Sequence, residues 1–124
     1  MTPGVVAVRP GASLVEAARL MRDHGIGGVV VADGQRVVGM LTARDITVRA
    51  MAEGVDPLTV DADAVCTRDP PVVAPGLPVR DALALMRERA VTRLPVVENG
   101  LPVGLVSRGD LDRRTRAEAA GPRT

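Results

Sequence analysis

Apolar side chains along this chain alternate between strand-like and helix-like spacing, and the same succession occurs twice. A short β-type run, about Val5–Val8, meets the turn signal Pro10-Gly11. Leu14, Ala17, Ala18 and Met21 then keep helical spacing and predict a helix over Ser13–His24, opened by a capping box of Ser13 and Glu16. Val29–Ala32 and Val37–Leu41 read as strands joined by Asp33-Gly34, a strong hairpin signal. A second helix opens at Thr42. The succession returns as a strand over Val72–Ala74, the turn Pro75-Gly76 and a helix over Pro78–Arg89. That helix places Val79, Ala82, Leu83 and Met86 on one face and Pro78 at its start. Strands Leu94–Val97 and Val103–Val106 follow around Asn99-Gly100, with a last helix from Ser107. Each half is β-α-β-β-α.

The two halves superpose in sequence without a gap at an offset of 65 residues, from Met1/Cys66 to Ile46/Leu111. Identities fall at Thr2/Thr67, Val8/Val73, Pro10/Pro75, Gly11/Gly76, Ala17/Ala82 and Leu20/Leu85. They continue at Met21/Met86, Arg22/Arg87, Val31/Val96, Val38/Val103, Gly39/Gly104 and Asp45/Asp110. The chain is a tandem duplication. Its expected architecture is α+β, with two repeats packed about a pseudo-twofold axis into one domain. Repeat one covers 1–55, a connecting segment 56–64, repeat two 65–118, and residues 119–124 form a tail expected to fray. The connecting segment is too short and too apolar to be a free linker, and Asp61–Val65 predicts one helical turn.

Composition narrows the function. The 124 residues suffice for one core, and 16 basic against 15 acidic side chains give no field to steer toward nucleic acid or membrane. The basic side chains are all Arg, and Phe, Tyr and Trp are absent, so base stacking on aromatic platforms is excluded. No apolar run reaches the roughly 20 residues of a membrane span. The N-terminus lacks a signal-peptide pattern, and a cytoplasmic location is expected. The one cysteine, Cys66, and the one histidine, His24, lack metal-ligand partners at recognisable spacing; no metal site is expected. They read as a small core residue and a cation at a helix C-terminus. Met21 and Met86 read as core. The cluster Arg113-Arg114-Thr115-Arg116 suits the dipole at the end of the last helix.

The most specific spacing closes each repeat: Gly39-Met40-Leu41-Thr42-Ala43-Arg44-Asp45 and Gly104-Leu105-Val106-Ser107-Arg108-Gly109-Asp110. A hydroxyl residue ends a strand and opens a helix, and Asp follows three residues on. Helix-start N–H groups attract phosphate, the hydroxyl can donate to the same oxygens, and the carboxylate can accept ribose hydroxyls. The same spacing also makes a capping box. Both readings are open on spacing alone, and they are compatible. No nucleophile–base–orienter constellation is visible, so an enzyme is not expected.

With these motifs the chain resembles a pair of CBS (cystathionine-β-synthase) domains, the Bateman module. The features that carry the resemblance are the β-α-β-β-α repeat, Leu94-Pro95-Val96-Val97, the glycine-turned hairpins and Gly-x-x-Thr/Ser-x-x-Asp. The stretch from Met40 to Ile46, continuing to Pro57, is similar to small stand-alone bacterial members of the hypoxic response protein type. The resemblance implies a regulatory protein that binds an adenosine nucleotide such as AMP, ADP or ATP between the repeats. It implies no obligatory cofactor. It further implies a homodimer formed through helix faces and an effector protein reached in trans. Carried over by position, repeat one offers Thr42, Arg44 and Asp45, with Val5 and Val29 against a base. Repeat two offers Ser107, Arg108 and Asp110, with Thr67, Val72, Leu94 and Pro95 lining the cleft and Arg93 toward phosphate. Arg93 and Pro95 stand opposite Gly28 and Val30, so the second cleft is favoured. The alternative is a homodimeric scaffold with empty clefts, in which the motif is only a cap.

Overall fold

The computed structural model describes residues 2–3 and 6–113 of the chain. Val5, the 119–124 tail and the basic cluster beyond Arg113 lie outside the described residues. Strands β1 (Thr2–Pro3) and β2 (Ala7–Val8) precede helix α1 (Leu14–His24), the hairpin β3 (Gly28–Asp33) and β4 (Arg36–Thr42), and helix α2 (Ala43–Asp45). After α2 the backbone continues in π-helical form over Ile46–Met51. Helix α3 (Ala62–Val65), strand β5 (Thr67–Arg68), helix α4 (Val79–Arg89) and the hairpin β6 (Arg93–Glu98) and β7 (Leu101–Ser107) follow. A last helix, α5, occupies 108–113 of the described residues. Each predicted helix and hairpin is present within a residue or two. Val72–Ala74 contributes only a bridge from Val73 to Val96.

The second helix departs from the predicted α form. Ile46, Thr47 and Val48 are three consecutive β-branched residues, which fit poorly against a preceding α turn. The Thr47 hydroxyl also donates 3.0 Å to the Ala43 carbonyl, competing with the regular ladder.

The strands form one four-stranded sheet, β2-β3-β4-β5, and one three-stranded sheet, β1-β7-β6. The repeats therefore exchange strands. β5 begins repeat two, yet it pairs with β4 of repeat one, Thr67 opposite Met40. β1 begins repeat one, yet it pairs with β7 of repeat two, Thr2 opposite Leu105. The two pairs are equivalent at the 65-residue offset, which is the signature of a pseudo-twofold axis. The exchange also accounts for Gly39. A Cβ on Gly39 would lie 2.6 Å from the Thr67 carbonyl oxygen and 2.7 Å from Cys66 Sγ. The incoming strand requires glycine there.

Three apolar clusters follow. The first packs Leu14, Ala17 and Met21 of α1 on Val29, Val31 and Leu41, and takes in Ala62 and Val65 from the connecting segment. The second packs Ala82 and Met86 of α4 on Leu94, Val96 and Val106. The third, Val30, Ala32 and Met40 with Val37 and Leu105, joins the two sheets. The connecting segment is tied to the start of α1: Leu14 N–H donates to Val60 (3.1 Å), Val15 N–H to Pro57 (3.2 Å), and Ala62 N–H to Ala12 (2.7 Å). Ser13 accepts from Glu16 N–H at 3.1 Å, but the reciprocal half of that predicted capping box is not formed.

Both long helices end in a left-handed residue, Gly25 (φ 63°) after α1 and Ala90 (φ 55°) after α4. Left-handed backbone costs an alanine roughly 1 kcal/mol that glycine escapes. Ala90→Gly should therefore raise unfolding free energy by about 0.5–1 kcal/mol and Gly25→Ala lower it by about 1 kcal/mol. Urea unfolding followed by far-UV circular dichroism measures both; a loss of stability in Ala90→Gly would contradict the assigned helix end.

Candidate functional site

The two hydroxyl–Asp motifs lie where each hairpin's second strand runs into a helix. In repeat one the capping box is complete: Asp45 N–H donates to Thr42 Oγ1 and Thr42 N–H to Asp45 Oδ2, both at 3.0 Å. The other Asp45 oxygen lies 4.0 Å from Arg49 Nε, and its side chain is only 16% exposed. Arg49 Nη1 in turn donates to the Val65 carbonyl and to Thr67 Oγ1, both at 3.2 Å. Thr42, Asp45, Arg49 and Thr67 thus form one connected polar chain. In repeat two, Asp110 N–H donates to Ser107 Oγ at 3.1 Å, and Arg113 caps the carboxylate. Asp110 is 31% exposed and is the more open acceptor of the two. Partial burial pushes its carboxyl pKa up. The Ser107 hydroxyl, Arg113 and the Ser107 backbone N–H outweigh that and hold it below the ordinary carboxylate range.

Arg93 joins the two motifs. Its backbone pairs with Ser107, as Gly28 pairs with Thr42. The side chain leaves its own repeat and lies on Gly27 and Gly28: a Cβ on Gly27 would overlap Nη2, and one on Gly28 would lie 3.0 Å from Cδ. The Gly27 carbonyl accepts from Ala43 N–H (3.0 Å), and the equivalent Thr92 carbonyl accepts from Arg108 N–H (2.8 Å). One guanidinium therefore spans from the Ser107 side to the Thr42 side. Arg44 and Arg108 are exposed on the first turns of the two helices.

The remaining expected residues divide. Thr67 is carried by β5 to the edge of repeat one's β4, where it meets Arg49; only the strand exchange moves it there. Val29 and Leu94 are fully buried in the two repeat cores, and Pro95 is buried as well. Val72, 49% exposed, borders a hollow with Arg36, Val37 and Val97 that contains none of the helix-start residues. Cys66 is a core residue, and burial, reinforced by the Asp63 and Asp45 carboxylates against Arg68, raises its thiol pKa. His24 ends α1 with Nδ1 3.0 Å from the Leu20 carbonyl. Gly27 and Arg49 were not singled out by sequence, and Gly28 only as the residue opposite Arg93. The only signal was two adjacent glycines where neither φ is positive, so that no turn required them.

A cavity of about 570 Å³ opens beside Asp110 in repeat two, floored by Val73, Val96, Val106 and Leu111 and bounded by Pro75–Arg80. Its counterpart in repeat one is covered by the connecting segment at Pro57–Asp63.

Because the folded state favours ionised Asp110, its contribution is complete at neutral pH. It disappears as pH falls through the depressed folded pKa. Asp110→Asn should cost about 1 kcal/mol at pH 7, the usual worth of a cap. The gap from the parent should begin to narrow near pH 4, about the ordinary carboxylate pKa, and close only below the lowered folded pKa. Urea titrations at stepped pH test this, and a pH-independent gap would contradict the cap.

The CBS-domain family model matches residues 1–51 and 56–116. The CBS domain-containing protein YhcV of Bacillus subtilis is 37% identical over 113 residues, which cover 90% of this chain and 79% of that protein. Hypoxic response protein 1 of Mycobacterium tuberculosis is 35% identical over 114 residues, covering 91% and 80%. The solved CBS-domain containing protein ATU1752 from Agrobacterium tumefaciens superposes with a TM-score of 0.83 at 29% identity, over 91% of this chain and 90% of that one. The chain belongs to the CBS-domain family and carries the domain twice. CBS pairs are regulatory, ligand-binding modules. No described helix is long and apolar enough to cross a membrane.

Proposed function

We propose that this CBS pair senses an adenosine nucleotide at the end of the molecule where the two hydroxyl–Asp helix starts flank Arg93, and signals occupancy to a partner protein in trans. The observation that carries the reading is the reach of Arg93 from the Ser107 side to the Thr42 side. Phosphate suits this guanidinium and the exposed Arg44 and Arg108. Asp110, ionised and the more exposed of the two carboxylates, is the acceptor offered to ribose hydroxyls. Asp45 is committed to its capping box and to Arg49. This keeps the ribose in repeat two while the phosphate reaches toward repeat one. Val48 and Met51 after α2 are half exposed, and Leu58 is 67% exposed. These are the apolar surfaces through which two copies would pair as a homodimer.

Calorimetric and far-UV melting with AMP, ADP, ATP, NAD and S-adenosylmethionine tests the reading without aromatic fluorescence, which this composition lacks. A ligand at 100 times its Kd should add about 2.7 kcal/mol of stability. Asp110→Ala should abolish the shift, and Asp45→Ala should reduce it less. If none of these compounds moves the transition at millimolar concentration, the clefts are empty and the protein is an interaction scaffold.

A further inference from the structure

We infer that residues 114–124 of this chain dock in the cavity beside α4, as their repeat equivalents, 49–59, pack on α1. Repeat one shows what such a cover does. Ala50 is buried and Val55 half-buried in the cluster built on Leu14 and Ala17, and the Pro57 carbonyl accepts from Val15 N–H at 3.2 Å. Among the described residues, the same surface in repeat two has no such cover. Leu77, on the cavity wall, is 39% exposed where its equivalent Ala12 is buried. Val79 is half-buried where Leu14 is fully buried. Arg80 N–H, the equivalent of Val15 N–H, has no acceptor among the described residues. The amino-acid sequence names the occupant. At the 65-residue offset the duplication runs on past Leu111, with Arg49/Arg114, Ala52/Ala117, Glu53/Glu118, Pro57/Pro122 and Thr59/Thr124 identical, five of eleven positions. No gap is needed, so the same length of chain joins Leu111 to this segment as joins Ile46 to its cover. Such a tether gives the chain's own segment an effective concentration that a separate partner has to exceed. The proline whose carbonyl receives Val15 N–H recurs as Pro122, so Arg80 N–H gains the acceptor it lacks. Residues 119–124 are then held against α4 rather than frayed.

Residue-resolved amide hydrogen exchange on the full chain tests this. Arg80 N–H should exchange about tenfold more slowly in the parent than in Ala120→Asp, which puts a charge into the contact. Leu77→Asp, on the cavity wall, should release the same amide. One exchange rate for Arg80 N–H in the parent and both variants would overturn the inference. Should Leu77→Asp not fold, Ala120→Asp and a cross-link carry the test. The cross-link identifies whose segment is bound. Residues joined by a main-chain hydrogen bond stand within disulfide reach, so Arg80→Cys with Pro122→Cys should close a disulfide within one chain on oxidation. Cys66 is buried and stays in place, and peptide mapping separates its products. Arg36→Cys with Pro122→Cys is the control, because Arg36 borders a different hollow, and it should not close. A disulfide between two chains would show that a second copy fills the cavity. Equal closure in the control would show that the segment has no fixed seat. Either result overturns the inference.

Discussion

The reciprocal exchange of strands is the constraint on which the other features depend. β5 lies against β4 only because Gly39 has no side chain, and the resulting main-chain pairing carries Cys66 and Thr67 into repeat one. β1 pairs with β7 in the equivalent way. Each sheet is therefore completed by the other repeat, and neither repeat has a full set of strands of its own. The apolar seam of Val30, Met40 and Leu105 then fixes how the sheets face. This brings position 28 against position 93 and the two hairpin ends to a common edge.

The two repeats are related in sequence but finished differently. The connecting segment covers the start of α1, contributing Ala62 and Val65 to the core and carbonyl acceptors to Leu14 and Val15. Among the described residues, the equivalent surface beside α4 forms a cavity edged by Asp110. The same asymmetry appears at the motifs. Asp45 is enclosed by a capping box and by Arg49, whereas Asp110 is more exposed and paired with Arg113. A duplicated motif thus has one enclosed and one more accessible carboxylate.

Much of this was legible along the chain. Helical spacing at Leu14, Ala17 and Met21, and the Asp33-Gly34 and Asn99-Gly100 turns, are local signals, and the elements they announce are present. The hydroxyl–Asp spacing placed both helix starts correctly for the same reason: a cap is made within four residues. Signals failed where the contact was not local. Nothing in the neighbourhood of Thr67 says which sheet edge β5 will join. Val29 and Leu94 are buried in the repeat cores, and alternation along a strand does not say which face a helix covers. The π-helical turn at Ile46–Met51 shows local crowding overriding a correct helix prediction.

By itself the amino-acid sequence determined the duplication, the element order, the caps and the family, because each is written in short-range spacing or in residue-by-residue repetition. Tertiary structure alone decided which repeat each terminal strand completes and which carboxylate stays open. It also decided that Arg93 rests on Gly27 and Gly28. Those outcomes depend on backbone pairing and steric exclusion between residues about 65 positions apart, where one side chain can occupy a space only because its equivalent has none.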